Sequence, residues 1–368
     1  MAGSNYGTDF RITTWGESHG KALGVVIDGC PAGLCLNEED IQSFLDRRKP
    51  GQSKYTTARK EGDEVSILSG VYEGKTTGTP ISLIVFNKDQ HSKDYSEIAS
   101  FYRPGHADYT FNEKYGFRDP RGGGRSSGRE TIGRVAAGAI ASKILKEIGI
   151  SILTYTASIG DILIDPDRFD EGFINENPLY MPDKEASVKA SEYLDTLRSL
   201  GDSSGGTIEC LVKGMPAGIG ETVFDKLDAE LAKAIMSIGA VKAVEIGDGI
   251  KVSCAKGSTN NDEFTLDETG KIIKRTNHSG GVLGGMSDGD TLILRAHFKP
   301  TPSISSQQKT VNKNNEEIAI NIKGRHDPII VPRAVVVVES MTAITVLDLL
   351  MRNMSSKLDN LKKIYSNP

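Results

Sequence analysis

The sequence has few cysteines, and their spacing indicates neither a zinc site nor a disulfide framework. Cys30, Cys35, Cys210 and Cys254 contain no CxxC pair, so we expect them to be reduced and mostly structural. No run approaches 18 consecutive apolar residues, which argues against a membrane span. Residues 1–11 lack an apolar signal core and the Arg- and Ser-rich pattern of a transit peptide, so we expect a cytoplasmic protein.

The chain also lacks an excess of positive charge. Its 368 residues carry a formal net charge of −5, with 38% hydrophobic and 25% charged residues. This composition is typical of a globular protein with a sizeable core, and the negative balance argues against a dedicated nucleic-acid binder. However, five arginines fall between Arg118 and Arg134, where Asp119 and Glu130 are the only acidic residues. A local basic cluster in an acidic protein indicates a site for a small anion.

Periodicity predicts both helices and alternating strands. We expect helices from Asn37, as N-cap, to Pro50, over about 129–148, over about 224–238, and from near Ser340 onward. Strands are predicted at residues 23–27, 65–68, 81–86, 207–212, 241–246, 291–298 and 334–338. Alternating strands favour antiparallel sheets with one buried face, so the sequence predicts an α+β layered fold. The polar stretches at residues 262–278 and 301–318 are predicted to be long surface loops.

Two short segments of the chain are similar to each other. Residues 26–34 (VIDGCPAGL) and 211–219 (LVKGMPAGI) each follow a predicted strand and precede an acidic-started helix. One interpretation is two independent turns, since Gly and Pro occur in turns of every protein. The other is a single domain, residues 1–368, built from two pseudo-equivalent intertwined halves at about residues 1–150 and 205–368.

The segment RGGGRSSGR, residues 121–129, lies just before a predicted helix. Free N–H groups and the positive end of the helix dipole would be available to an anion there, and arginines can hold phosphate or carboxylate through two bonds. It is not a Walker A loop, because Gly128 is followed by Arg129 and Glu130 rather than Lys and Ser or Thr. An RGG-type RNA segment and a plain flexible turn are the remaining alternatives.

Three titratable residues occur in glycine- or proline-bounded loops. His19 lies in WGESHG, His106 in RPGHAD and Asp327 in GRHDP. A histidine in such a loop can exchange protons near neutral pH, although each alone could be an ordinary hydrogen-bonded residue. In isolation, Asp327 could equally be a turn cap before proline. The basic residues that follow the first predicted helix could by themselves be a solvated face.

Taken together, these motifs resemble the chorismate synthase family. The matching segments are GESHG at 16–20, DRRKPG at 46–51, FYRPGHAD at 101–108, GRSSGRET at 124–131 and GRHDP at 324–328. They occur in the family's order, and residues 247–249 and 299–303 match as well. Similar stretches connect them from about residue 5 to residue 355.

The resemblance implies a reaction and a cofactor. The family converts 5-enolpyruvylshikimate 3-phosphate to chorismate by 1,4-anti-elimination of phosphate, and it requires reduced FMN without net redox change. It also implies helices layered between antiparallel sheets (a β-α-β sandwich) and a homotetramer. Some fungal relatives reduce their own flavin with NADPH and carry additional sequence. No such insertion is present here, so we expect an external flavin reductant, and neither a nucleic-acid nor a membrane partner.

Roles for individual residues also follow from the resemblance. His19 would protonate the reduced flavin, His106 would lie near the leaving phosphate and the flavin, and Asp327 would work with flavin N5 as proton acceptor. The substrate would be held by Ser18, Arg48, Lys54, Arg103, Ser127, Arg129 and Arg325. The flavin would be lined by Arg125, Ser126, Ser127, Gly239, Ala240, Gly284, Lys299, Pro300, Thr301, Pro302, Ser303 and Arg325.

Two positions depart from the family pattern. Lys54 stands where relatives often have arginine, which keeps the charge but loses two-bond geometry. Gly128 stands where alanine is common, which gives a looser entry to the following helix. Either change could lower the affinity for the substrate.

Overall fold

The fold is described from a computed structural model, which describes residues 3–51, 55, 62–87, 98–322 and 327–366. The described helices are α1 (Glu38–Arg48), α2 (Asp108–Tyr115), α3 (Thr131–Glu147), α4 (Lys184–Leu200), α5 (Leu227–Met236), α6 (Gly257–Asn260), α7 (Val331–Asn353) and α8 (Leu358–Tyr365). The described strands are β1 (Asn5–Tyr6), β2 (Arg11–Gly16), β3 (Ala22–Asp28), β4 (Val65–Ile67), β5 (Val71–Tyr72), β6 (Lys75–Thr76), β7 (Ile81–Phe86), β8 (Ser151–Ile159), β9 (Ile162–Leu163), β10 (Gly206–Lys213), β11 (Val241–Ile246), β12 (Phe264–Leu266), β13 (Ile272–Lys274), β14 (Val282–Leu283), β15 (Met286–Ser287), β16 (Leu292–Phe298), β17 (Gln308–Val311) and β18 (Glu317–Ile320).

Two five-stranded antiparallel sheets enclose a layer of helices. The first sheet has the order β1-β2-β3-β7-β4 and the second the order β11-β16-β10-β8-β9. Each sheet buries alternate side chains, such as Leu83 and Val85 on β7 and Ile208 and Val212 on β10, because successive residues of a strand point to opposite faces. Helices α3 and α7 pack on each other, and α3 lies mainly on the first sheet while α7 lies on the second. The predicted α+β fold, with helices between antiparallel sheets, is confirmed.

The two similar segments adopt the same turn in the two sheets. In the first, the Thr76 hydroxyl donates to the Pro31 carbonyl at 2.6 Å. In the second, the Ser287 hydroxyl donates to the Pro216 carbonyl, also at 2.6 Å. Each hydroxyl-bearing residue belongs to a short hairpin, β5–β6 or β14–β15, that precedes the next long strand. The two turns therefore share one hydrogen-bonding arrangement and are not merely alike in sequence.

The strand connections repeat in the same way. The order β2-β3-β7-β4 in the first sheet corresponds to β8-β10-β16-β11 in the second, with α1 and α5 inserted at matching places and α3 and α7 following the last strand. The fold thus contains the pseudo-equivalent halves that the repeat predicts. The bounds of these halves, about residues 1–150 and 205–368, stay a prediction.

Helix α7 corrects two predictions. The valine-rich stretch 334–338, predicted as a strand, is the second turn of this helix, which begins at Val331 and not near Ser340. Nearly every side chain of its first 19 residues is buried between the two sheets, so packing on all sides overrides the strand preference of β-branched residues. By length and composition α7 could cross a membrane, and 89% of its apolar window is buried inside the protein.

The contact between α3 and α7 yields a test of the packing. A Cβ at Gly138 would lie 2.2 Å from the Ser340 Cβ and 2.5 Å from its Cα, so the two helices would have to separate. We expect Gly138→Ala to lower the free energy of unfolding by about 1–3 kcal/mol, although alanine favours helix by about 1 kcal/mol. Chemical denaturation measures this change. Gly128→Ala is the control, because no atom lies within 4 Å of its added Cβ. Equal stability of both variants would contradict the close contact.

Candidate functional site

The arginine-rich loop, residues 121–129, leads directly into the central helix layer. It forms two short 3₁₀ turns, Gly124–Ser126 and Gly128–Glu130, immediately before α3. Gly124 has φ +52°, a left-handed conformation that glycine adopts without steric cost. The Ser127 hydroxyl accepts a hydrogen bond from the Arg129 N–H at 3.3 Å and caps the second turn. The loop therefore lies at a helix N-terminus, as the sequence predicts.

His19 lies against this loop. A Cβ built on Gly122 would be 2.1 Å from His19 Nε2, so the imidazole occupies the space that any larger residue at position 122 would need. The charge of His19 also contributes to a lowered pKa of Asp119, although the main cause is the hydrogen bond from Arg121. Ser18 is buried, and its hydroxyl has no hydrogen-bond partner among the described residues.

Arg125 is attached to the end of β2. Its Nη2 donates to the Thr14 hydroxyl at 2.7 Å and to the Thr14 carbonyl at 3.2 Å, while Nη1 donates to the Gly16 carbonyl at 3.3 Å. Glu130 lies beside it, 3.7 Å from Arg125 Nη2, and also accepts from Arg134 Nε at 2.9 Å. One buried carboxylate is therefore shared by two arginines.

A second shared carboxylate links α1 to the loop. Asp63 forms an ion pair with Arg48 through Oδ2 and with Arg129 Nη2 through Oδ1, at 3.1 Å in the latter case. Arg129 Nη2 also donates to Asn87 Oδ1 at 2.7 Å. The side chains of Asp63 and Arg48 are 0% and 2% exposed. Burial and the neighbouring Arg333 lower the pKa of Arg48, while the charge of Asp63 opposes both.

A third shared carboxylate orders the segment that contains His106. Asp108 accepts from Arg103 Nε and Nη2, both at 2.8 Å, and lies 2.7 Å from Arg118 Nη1. Burial acts to raise the pKa of Asp108, but the hydrogen bonds from Arg103 and the charge of Arg118 outweigh it and lower the pKa below its ordinary value. Arg103 is thus fixed at one end of the RPGHAD turn.

His106 joins this turn to the segment 299–303. Its Nδ1 lies 3.0 Å from the Pro104 carbonyl and its Nε2 lies 2.8 Å from the Ser303 hydroxyl. Lys299 Nζ donates to the Gly105 carbonyl at 3.0 Å. Burial, the charge of Arg103 and, to a smaller extent, that of Lys299 lower the pKa of His106. These effects favour the neutral imidazole over the charged one.

Asp327 lies near the N-terminus of α7. Its Oδ2 is 2.8 Å from Nη1 of Arg333, in the first turn of the helix, and Arg333 Nε donates to the Arg48 carbonyl at 3.0 Å. Arg48 Nη1 in turn faces the Gly128 carbonyl at 3.4 Å. The end of α1 therefore lies between the N-termini of α3 and α7, which places two positive helix ends on the same side of the molecule.

The other residues expected to line the flavin are only partly brought together. The Ala240 carbonyl accepts from the Lys299 N–H at 3.0 Å, and Ala240 has φ +74°. Thr301 accepts through its carbonyl from the Ser203 hydroxyl at 2.7 Å. Gly284 lies in the β14–β15 turn, and the contacts described for this turn are with the start of α5 and not with the arginine-rich loop. Lys54 and Arg325 lie outside the described residues.

Sequence reasoning missed several residues that hold the site together. Asp63, Asn87 and Arg333 belong to none of the recognised motifs, yet each bonds to a predicted site residue. An acidic residue shared between two arginines has no fixed spacing in sequence, since its partners come from separate segments. The one available signal was the excess of arginines, which in a folded protein require nearby counter-charges.

Comparisons with known proteins show the family to which the chain belongs. The family model of chorismate synthase matches residues 10–351. A chorismate synthase of Lachnoclostridium phytofermentans is 67% identical over 365 residues, covering 99% of this chain and 100% of its own. One of Agathobacter rectalis is 66% identical over 366 residues, covering 99% of each. A crystal structure of chorismate synthase aligns with a TM-score of 0.77 at 31% identity, over 97% of this chain and 96% of that chain.

The fold and the family match together define an α+β enzyme of the lyase class, with an arginine-rich loop before one of its two central helices. The chain belongs to the chorismate synthase family, which acts in the shikimate pathway of aromatic amino-acid biosynthesis.

The environment of His106 gives a pH-dependent prediction. Lys299→Met removes a positive charge that lowers the pKa of this imidazole, so we expect the pKa of His106 to rise. An NMR titration of the histidine ring protons measures the shift. Lys363→Met on α8 should leave the His106 titration unchanged, because Lys363 is exposed and is not among the charges that shift the pKa of His106. A His106 pKa that stays constant or falls in Lys299→Met would contradict the assigned electrostatics.

Proposed function

We propose that this enzyme catalyses the 1,4-anti-elimination of phosphate from 5-enolpyruvylshikimate 3-phosphate to give chorismate. The observation that supports this most is the contact of His19 with Gly122. It joins the histidine expected to protonate the cofactor to the loop expected to bind anions, although the two are distant in sequence. We propose reduced FMN as the cofactor, with no net redox change over the reaction.

The described residues fit an anionic flavin. Lys299 and Ala240 are adjacent through a backbone hydrogen bond. A Cβ added at Gly239 would meet no atom within 4 Å, so there is open space beside it. The buried hydroxyls of Ser18 and Thr301 have no hydrogen-bond partner among the described residues, and buried hydroxyls without a partner are costly unless a ligand or water supplies one. When bound, reduced FMN supplies electron density for C–O cleavage and a basic N5 near the C6 proton.

The negative charges of the substrate would be bound by arginines. Its phosphate and two carboxylates would be held by Arg48, Arg103 and Arg129, with Lys54 and Arg325 proposed from the resemblance. Each of the first three already has a carboxylate partner, so its side chain is held in place before the substrate arrives. Such preorganised donors lose little freedom on binding, which makes charge-assisted hydrogen bonds more effective.

Proton transfer would be divided among three side chains. His19 would hold the proton that neutralises the reduced cofactor, and its ring lies in the space that the missing side chain of Gly122 leaves open. The neutral form of His106 is favoured, and its contacts with the Pro104 carbonyl and the Ser303 hydroxyl orient the ring beside the leaving phosphate. Asp327 would work with flavin N5 as the acceptor of the C6 proton, and the ion pair with Arg333 orients its carboxylate.

A different function would require a different result. A relative that binds flavin but has lost turnover would retain the same arginines and would release no phosphate. An RNA-binding protein would show an affinity for RNA that falls steeply with salt, and the ion pairs of Arg121, Arg125 and Arg129 with acidic residues do not favour it. We also propose a cytoplasmic homotetramer supplied with reduced flavin by an external reductant.

The deciding experiment is anaerobic phosphate release from 5-enolpyruvylshikimate 3-phosphate, with reduced FMN, with oxidised FMN, and without flavin. We expect release only with reduced FMN, and chorismate formed in equal amount. Release without flavin would exclude the cofactor, and no release under any condition would exclude the reaction.

The acid–base residues assigned from the family resemblance give a mutational prediction. We expect His19→Ala and Asp327→Asn each to lower turnover by about 10²–10⁴-fold, the usual effect of removing a positioned acid or base. The measurement is the steady-state rate under anaerobic conditions. His297→Asn is the control, because His297 lies on β16 and contacts Thr207 and Glu245. Rates like those of the unmodified enzyme in both site variants would rule out these roles.

A further inference from the structure

Asp63 occupies an unusual place among the acidic residues. Its side chain is completely buried, and its two oxygens form ion pairs with two different arginines, Arg48 and Arg129. These arginines come from the C-terminus of α1 and from the loop before α3. A buried carboxylate is stable only if it is paired. Here Oδ2 accepts a hydrogen bond from Arg48, while Oδ1 is paired by charge with Arg129 and has no hydrogen-bond partner among the described residues.

The other two shared carboxylates differ from it in one respect. Asp108 pairs Arg103 with Arg118, and Glu130 pairs Arg125 with Arg134. Each of these pairs contains only one arginine expected to contact a ligand. Among the described residues, Asp63 is the carboxylate that joins two of the arginines expected to bind the substrate.

The backbone of Asp63 is also strained. It has φ +44°, a region that residues other than glycine seldom adopt and that surrounding interactions must stabilise. The two ion pairs supply that stabilisation. They hold the carboxylate at one position between the two guanidinium groups, so the spacing of the arginines depends on it.

We propose that Asp63 is a positioning residue for substrate binding, which fixes the distance between Arg48 and Arg129 by holding both on one carboxylate. The proposal rests on the proposed function, since it concerns the binding of its substrate. Asp63 itself need not touch the substrate. Its effect is to present the remaining N–H groups of the two arginines in a fixed arrangement that matches a fixed pair of anionic groups.

Two opposite effects are expected when the carboxylate is removed. The site becomes more positive, which would strengthen its attraction for an anion. The arginines also lose their common partner and repel each other, so their geometry is no longer defined. If Asp63 is a positioning residue, the second effect dominates, because the strength of binding by a bidentate donor pair depends steeply on its geometry. A role limited to charge balance predicts that the first effect dominates.

The test uses Asp63→Asn and Asp63→Glu in the full chain. Binding of 5-enolpyruvylshikimate 3-phosphate is measured by calorimetry, and KM and kcat are measured anaerobically with reduced FMN. For Asp63→Asn we expect Kd and KM to rise tenfold or more, kcat to change less than threefold, and the Kd for FMN to stay unchanged. Asp63→Glu retains the charge but moves it by one methylene, so we expect KM to rise threefold or more.

The matched control is Asp183→Asn. Asp183 is equally buried, forms an ion pair with Arg168 and caps α4, and it contacts none of the site residues that the structure describes. The Asp183→Asn variant should lose thermal stability without a change in KM.

The proposal is overturned if KM in Asp63→Asn is unchanged or lower, if Asp63→Glu has the KM of the unmodified enzyme, or if Asp183→Asn raises KM equally. If the unmodified enzyme neither binds nor converts the substrate, the proposed function fails and the inference fails with it. If the unmodified enzyme turns over normally and the Asp63 variants have its KM, the proposed function stands and only the inference about Asp63 fails.

Discussion

The site depends on one repeated interaction, a buried carboxylate shared by two arginines. Asp63, Asp108 and Glu130 each form such a bridge. Several guanidinium groups brought together without counter-charge would repel one another and would lose hydration at a large cost. Sharing a carboxylate leaves each cluster with a net positive charge and a defined geometry. The cluster can therefore attract an anion while the folded chain remains stable without one.

The site also requires that the loops carrying these arginines lie close together. The pseudo-equivalent halves contribute a central helix each, and the arginine-rich loop and the Asp327 segment are the chain immediately before those helices. The C-terminus of α1 contacts both of them through Arg48. The site is therefore a product of the repeat, although the two halves contribute different side chains to it.

Much of this organisation could be predicted from the sequence, but only where the local pattern decides the structure. The predicted N-cap at Asn37 and the periodicity of α3 gave correct helices. The valine run of α7 did not, because its burial on all sides is a tertiary property. Likewise, residues 262–278, predicted as a loop, contain the β12–β13 hairpin, in which buried Lys274 bonds to Asp262 and Asp288. A buried lysine in a polar sequence is indistinguishable from an exposed one until its partners are known.

The close contact of Gly138 with Ser340 has a consequence for precision at the site. Helices packed at this distance interlock, so that one can move along the other only by about a helical turn of 5.4 Å and not by small increments. The contact lies near the middle of both α3 and α7. It therefore fixes the relative position of their N-terminal ends along the helix axes. The position of the arginine-rich loop relative to Asp327, measured along the helix axes, therefore depends on Gly138, a residue without a side chain in the apolar interior.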